Sequence, residues 1–72
     1  MNNLNVAKIQ LNGDPYEINS GTNLSELLKK LRIQKNKVAI EVNGEIIEKK
    51  MYESLILSKD DKVEIVHFIG GG

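Results

Sequence analysis

The sequence has no cysteine and no tryptophan, and only one proline, one histidine and one phenylalanine. Without cysteine there is no disulfide, no thiolate metal site and no cysteine nucleophile. A single histidine does not make a metal site by itself, although carboxylates can join one. No charge of either sign is in excess: ten Lys and Arg balance ten Asp and Glu, for a formal net charge of zero. A nucleic-acid-binding domain normally carries a basic excess concentrated on one face, so the balance argues against that class. No apolar run approaches the ~20 residues that span a bilayer. The opening Met1-Asn2-Asn3-Leu4-Asn5 lacks the basic and apolar regions of a secretory signal. These absences lead to the expectation of a soluble, cytoplasmic domain that binds neither nucleic acid nor membrane. With 72 residues the chain makes one small domain. Such a domain buries only ~60% of the surface exposed by its unfolded chain. That leaves little room for a deep catalytic cavity, so any chemistry is expected to use a partner's pocket.

What is present is an ordered series of strand, turn and helix signals. Val6 to Leu11 reads as a strand with Ile9 and Leu11 on one face and Gln10 on the other. Asn12-Gly13-Asp14-Pro15 reads as a turn and Tyr16 to Ile18 as the return strand, because Asn-Gly accepts the positive φ angles of a tight hairpin. Asn23 with Glu26 has the form of a capping box, with Thr22 as the competing cap. Leu24, Leu27, Leu28 and Leu31 then fall on one helical stripe. Lys29, Lys30 and Arg32 follow where positive charge suits the helix dipole.

Val38 to Val42 predicts a third strand, Asn43-Gly44 a second hairpin turn and Glu45 to Ile47 the strand leading back. Residues 48–58 predict an irregular crossing that tucks Leu55 and Leu57 inward. Lys59 to Lys62 predicts a turn and Val63 to Phe68 the last strand. The order β-β-α-β-β-β, with an apolar helix stripe that needs a sheet face to pack on, predicts an α+β fold of the β-grasp (ubiquitin-like) kind. Its mixed sheet of four to five strands clasps one main helix. The expected division is a domain over residues 1–68 and a glycine-rich tail over residues 69–72.

The tail carries the functional expectation. Gly70, Gly71 and Gly72 follow an apolar strand. Glycine has no Cβ and accepts almost any backbone conformation, so this segment is expected to stay mobile and enter a narrow channel. Extended from Ile69, it reaches about 13 Å. By itself a glycine-rich end is equally consistent with a frayed terminus.

The segments Val38-Ala39-Ile40-Glu41-Val42-Asn43-Gly44-Glu45-Ile46-Ile47 and Val63-Glu64-Ile65-Val66-His67-Phe68-Ile69-Gly70-Gly71-Gly72 resemble the ThiS family, the sulfur carriers of thiamine biosynthesis. The resemblance extends to Asn12-Gly13 and to the Leu27-Leu28 helix and covers nearly the whole chain. It implies that the carrier is a protein co-substrate and not an enzyme. A ThiF-like enzyme uses ATP and Mg to adenylate the Gly72 carboxylate. Sulfur originating at a cysteine desulfurase converts that group to a thiocarboxylate. A ThiG-like thiazole synthase then takes the sulfur for the thiazole ring. The carrier itself would bind no cofactor and no metal, and would be a monomer when alone.

The last strand adds a second expectation. With a period of two, Val63, Ile65 and His67 face the helix-covered side and Glu64, Val66 and Phe68 the other. Val66, Phe68 and Ile69 then form an apolar docking patch beside the tail, unless the 48–58 crossing covers that face. His67 reads as a rim residue, since no base or ligand partner stands near it in sequence. Asp60-Asp61 reads as a turn rather than a metal site. ThiS-like sequences often carry glycine where Asp60 stands, which implies a left-handed backbone there. Lys29, Lys30, Arg32, Lys49 and Lys50 read as solvated faces or as contacts for an acidic partner. Three alternative functions are a molybdopterin-type sulfur carrier, a ubiquitin-like protein modifier, and an interaction domain with no activated terminus.

Overall fold

The computed structural model describes residues 5–69. Strands β1 (Val6–Leu11) and β2 (Asp14–Asn19) form the first hairpin, with Leu11 opposite Asp14. Only Asn12 (φ 50°) and Gly13 (φ 88°) make the loop, and both are left-handed as the twist of the strands requires. The turn is therefore shorter than the four residues expected, and Asp14 and Pro15 belong to β2. Proline is tolerated there for a geometric reason. Pro15 sits opposite Gln10, one residue from the pair that closes the loop, so its nitrogen faces away from β1. β2 is an edge strand, so no ladder hydrogen bond is lost.

Helix α1 (Leu24–Leu31) begins with the capping box. The Glu26 amide donates to Asn23 Oδ1 at 2.7 Å and the Asn23 amide to Glu26 Oε1 at 3.0 Å. Thr22, the rival cap, instead gives its hydroxyl to the Asn19 carbonyl at 2.6 Å. Leu24, Leu27 and Leu28 are buried, and Leu31 packs against them half-buried. Each buried leucine contributes roughly 1.5–3 kcal/mol. Arg32 ends the helix at φ 60°, with its amide bonded to the Lys29 carbonyl (3.1 Å) and the Ile33 amide to the Leu28 carbonyl (2.9 Å). These two bonds cap orphan carbonyls in the Schellman arrangement, here without the usual glycine.

After a short 3-10 turn at Lys35–Lys37 come β3 (Val38–Val42), the two-residue β4 (Glu45–Ile46) and, after the crossing, β5 (Lys62–His67). The sheet order is β2-β1-β5-β3-β4. β1 and β5 are parallel and the remaining pairs antiparallel, so the sheet is mixed. A sheet of this order clasping one helix is the β-grasp fold. The core lies between α1 and one sheet face: Ile9, Ile18, Leu27, Ile40 and Val63 are each at most 2% exposed.

The crossing lies along the start of α1 and not over the outer sheet face. The Ser25 amide bonds to the Tyr52 carbonyl (2.9 Å), the Leu24 amide to Leu55 (3.2 Å) and the Leu57 amide to Thr22 (2.9 Å). Leu57 is buried and Leu55 half-buried, both inward as expected. The inward residue the sequence did not single out is Tyr52, 1% exposed. Burial raises its phenol above the ordinary 10.0, and a hydrogen bond with the Ile40 backbone pulls the other way.

Candidate functional site: the end of the last strand

β5 starts in the middle of the sheet and finishes at its margin. It pairs with β1 only through Gln10–Lys62 and Leu11–Val63, while its pairing with β3 continues as far as Val38–His67. Where β1 ends, the Asn12 side chain takes over for one step, its Oδ1 accepting the Ile65 amide at 2.8 Å. From Val66 onward β5 has a strand neighbour on the β3 side alone. The Phe68 amide extends that side by bonding to the Lys37 carbonyl at 2.9 Å. The chain therefore leaves the sheet anchored along one edge and open along the other.

The alternation expected of β5 is present. Val63 is fully buried and Ile65 buried, whereas Val66 is 58% and Phe68 54% exposed. Ile69, at 98%, makes almost no contact with the domain. The crossing reaches this patch through the Lys49 side chain at Phe68 and leaves more than half of Val66 and Phe68 exposed. Ala39, opposite Val66 on β3, shares its face. Gly70, Gly71 and Gly72, the residues on which the sequence-based site rests, lie outside the described residues.

His67 stands opposite Val38, a core residue, and so belongs to the helix-covered side as its period requires. It is nevertheless exposed, at the rim, and lines a shallow cavity with Arg32, Gln34 and Lys37. Asp60 adopts φ 70°, the left-handed conformation expected of it. The Asp61 carboxylate is used within the turn, accepting the Ser58 amide (2.7 Å) and Asn43 Nδ2 (2.9 Å). Asn43 in turn accepts the Lys62 amide through Oδ1 at 2.9 Å. The acidic pair is thus a structural clasp between two turns. Among the described residues no group of three or more His, Asp or Glu side chains is placed to hold a metal. No helix among them is long and apolar enough to cross a membrane.

Two contributors to this margin escaped sequence reasoning. Lys49, far from Phe68 in sequence, places its Nζ 5.6 Å from the Phe68 ring centroid, within cation–π range. Asn12 was read only as a turn residue, although its amide oxygen also ends the ladder at Ile65. The signal for Asn12 was the Asn-Gly pair itself. For Lys49 there was none, because the contact depends on how the crossing returns.

A β-grasp domain whose last strand runs out as an exposed apolar end has the architecture of the ubiquitin-like proteins. The model of the ThiS family matches residues 9–72. The chain is 39% identical to the sulfur carrier protein ThiS of Bacillus subtilis, over 89% of this chain and 98% of that protein. It is similar in structure to the crystallised thiamine biosynthesis protein ThiS of Geobacter metallireducens. That likeness has a TM-score of 0.78 at 32% identity and covers 90% of this chain and 99% of that one. It is also 45% identical to the thiazole synthase of Magnetococcus marinus, over 90% of this chain but 20% of that protein. The chain thus spans about a fifth of that relative's length. This chain belongs to the ThiS family.

Proposed function

We propose that this chain is a sulfur carrier in thiamine biosynthesis, that its working group is the Gly72 carboxylate, and that Gly70 and Gly71 form the arm that delivers it. The observation that carries the reading is family membership over a stretch that includes Gly72 itself, joined to a domain whose exposed strand end leads into that stretch. A free carboxylate is a poor electrophile. A ThiF-like partner activates it by transferring AMP from Mg-ATP to a carboxylate oxygen, with loss of pyrophosphate. A sulfur nucleophile then attacks the acyl carbon and AMP leaves. Where the nucleophile is a persulfide from a cysteine desulfurase relay, a thiol reduces the resulting acyl disulfide to the thiocarboxylate.

The carrier supplies no acid, base, metal or nucleotide site. It supplies an acyl group on a thin arm and a surface by which a partner holds it, with Val66, Phe68 and Ile69 as the apolar docking residues. Glycine is needed near the reacting carbon because attack requires aligned approach within roughly 3–3.5 Å. A ThiG-like thiazole synthase is the acceptor that fits the relatives in which a similar domain makes up about a fifth of a thiazole synthase. The carrier acts as a monomer in the cytoplasm, visiting these enzymes in turn.

The test is the intact mass of the protein after incubation with a ThiF-like enzyme, Mg-ATP and a sulfide or persulfide source. The expected result is a gain equal to exchanging one oxygen for sulfur, absent when Gly72 is deleted. An unchanged mass with demonstrably active enzyme refutes the reading. Covalent attachment to other proteins' lysines in its place identifies a modifier.

A further inference from the structure

Net charge zero conceals a local excess of positive charge at one margin. Arg32 and Lys37 line a shallow cavity of about 260 Å³ at the margin where β5 leaves the sheet. The Lys37 carbonyl, in the short turn before β3, holds the Phe68 amide at 2.9 Å, while Lys35 of the same turn lines a different cavity beside Glu53. Lys49 lies over the Phe68 ring. Among the described residues the one ion pair is Lys50–Glu48, at 3.6 Å and exposed. Arg32, Lys37 and Lys49 therefore bracket the strand end, with no carboxylate of the described residues in ion-pair reach of them. On the turns level with the start of β5, by contrast, Asp14, Glu45, Asp60 and Asp61 are interspersed with Lys59 and Lys62.

We infer that these three cations form a basic collar that docks against a protein whose acidic side chains surround the mouth of the channel receiving the chain end. The inference rests on the proposed delivery of the residues after Ile69 into a partner, and it specifies the chemistry of that partner's surface. The collar is continuous with Val66, Phe68 and Ile69, so one contact buries an apolar centre inside a charged rim, the usual anatomy of a protein interface. The same sheet face argues against a nucleic acid or an anionic membrane as occupant. Glu41 and Glu64 pair across β3 and β5 one step below on that face and would repel an extended polyanion. Exposed rim charges act mainly by steering encounter, so the collar sets the association rate and its salt dependence more than the strength of the final complex.

The test is stopped-flow association of the carrier with a ThiF-like adenylating enzyme across ionic strength. Association of the unaltered carrier should slow steeply as salt rises. The K37E/K49E double variant should associate several-fold more slowly at low salt, with a flattened salt slope. Its adenylation kcat at saturating carrier should stay unchanged. K37Q/K49Q should fall between, and a K8E/K59E control away from the collar should keep the original rate. Circular dichroism confirms that each variant is folded. An unaltered rate and slope in a folded K37E/K49E variant overturns the proposal, as does a loss that is equal at every salt concentration. So does salt-independent association of the enzyme together with retention of the carrier on anionic vesicles or RNA. Steered association without any adenylation refutes the proposed function and leaves the collar standing. Adenylation with salt-independent association does the reverse.

Discussion

Tyr52 offers the sharpest test of how this small domain holds together. It is 1% exposed, the largest of the fully buried side chains, and it comes from the crossing rather than from any regular element. A buried tyrosine removes ~150–250 Å² from water. At about 25 cal/mol per Å² that is an upper bound of roughly 4–6 kcal/mol. Measured aromatic-to-alanine truncations in cores cost about 3–5 kcal/mol. At the usual ~0.05–0.15 kcal/mol per residue, 72 residues give a total stability of roughly 4–11 kcal/mol. Tyr52→Ala should therefore remove roughly a quarter or more of the total. Tyr52→Phe keeps the ring and loses only the hydrogen bond with the Ile40 backbone, at about 1–2 kcal/mol. Urea unfolding at neutral pH, followed by far-ultraviolet circular dichroism, separates the two. A cost below ~1 kcal/mol for Tyr52→Ala, outside the range for a buried aromatic, refutes the reasoning. Equal costs for the two variants refute the division between packing and hydrogen bond.

The same phenol makes a pH prediction. Its folded pKa is raised above 10.0, so its contribution to stability is complete below that pH and is lost as pH rises through the folded value; the difference in unfolding free energy between the unaltered protein and Tyr52→Phe, measured across this range, should shrink on the alkaline side and stay constant below it. Asn23→Ala removes the Oδ1 bond to the Glu26 amide and the Nδ2 bond to the Glu53 carbonyl, and should cost about 1–2 kcal/mol in thermal or urea unfolding, with no loss indicating that the cap is redundant. Gly72→Ala should sharply lower adenylation while leaving the unfolding curve unchanged; turnover equal to that of the unaltered chain shows that a Cβ at that position is no obstacle.

The errors at element boundaries have local causes. Pro15 was read as part of a turn because proline punctuates chains. The short loop and the edge position of β2 allow it in a strand, and edge position is a property of the sheet. The end of α1 lacks the glycine that usually announces one. Arg32 takes the left-handed conformation instead, and Ile33 anchors the cap by packing against the core. Tyr52 was missed because residues 48–58 follow neither a period of two nor one of 3.6. Its burial follows from amides and carbonyls at the start of α1 that hold the crossing in place.

Much of the protein was nonetheless determined by sequence alone. Two Asn-Gly pairs set both hairpins, because few other dipeptides accept two consecutive left-handed residues. The Asn23–Glu26 box and the leucine stripe set the helix and its buried face, and alternation along Val63 to Phe68 set which of those residues would be exposed. The family was legible in the last strand and the glycines after it. Tertiary structure decided what depends on residues distant in the chain. It put β5 between β1 and β3, stopped its pairing with β1 after two steps, and left Val66, Phe68 and Ile69 at an open margin. It brought Arg32, Lys37 and Lys49 around that margin from the helix end, the turn before β3 and the crossing. Local pattern records the conformation and face of a residue. Which segments meet depends on burying one shared core, and that is a property of the whole chain.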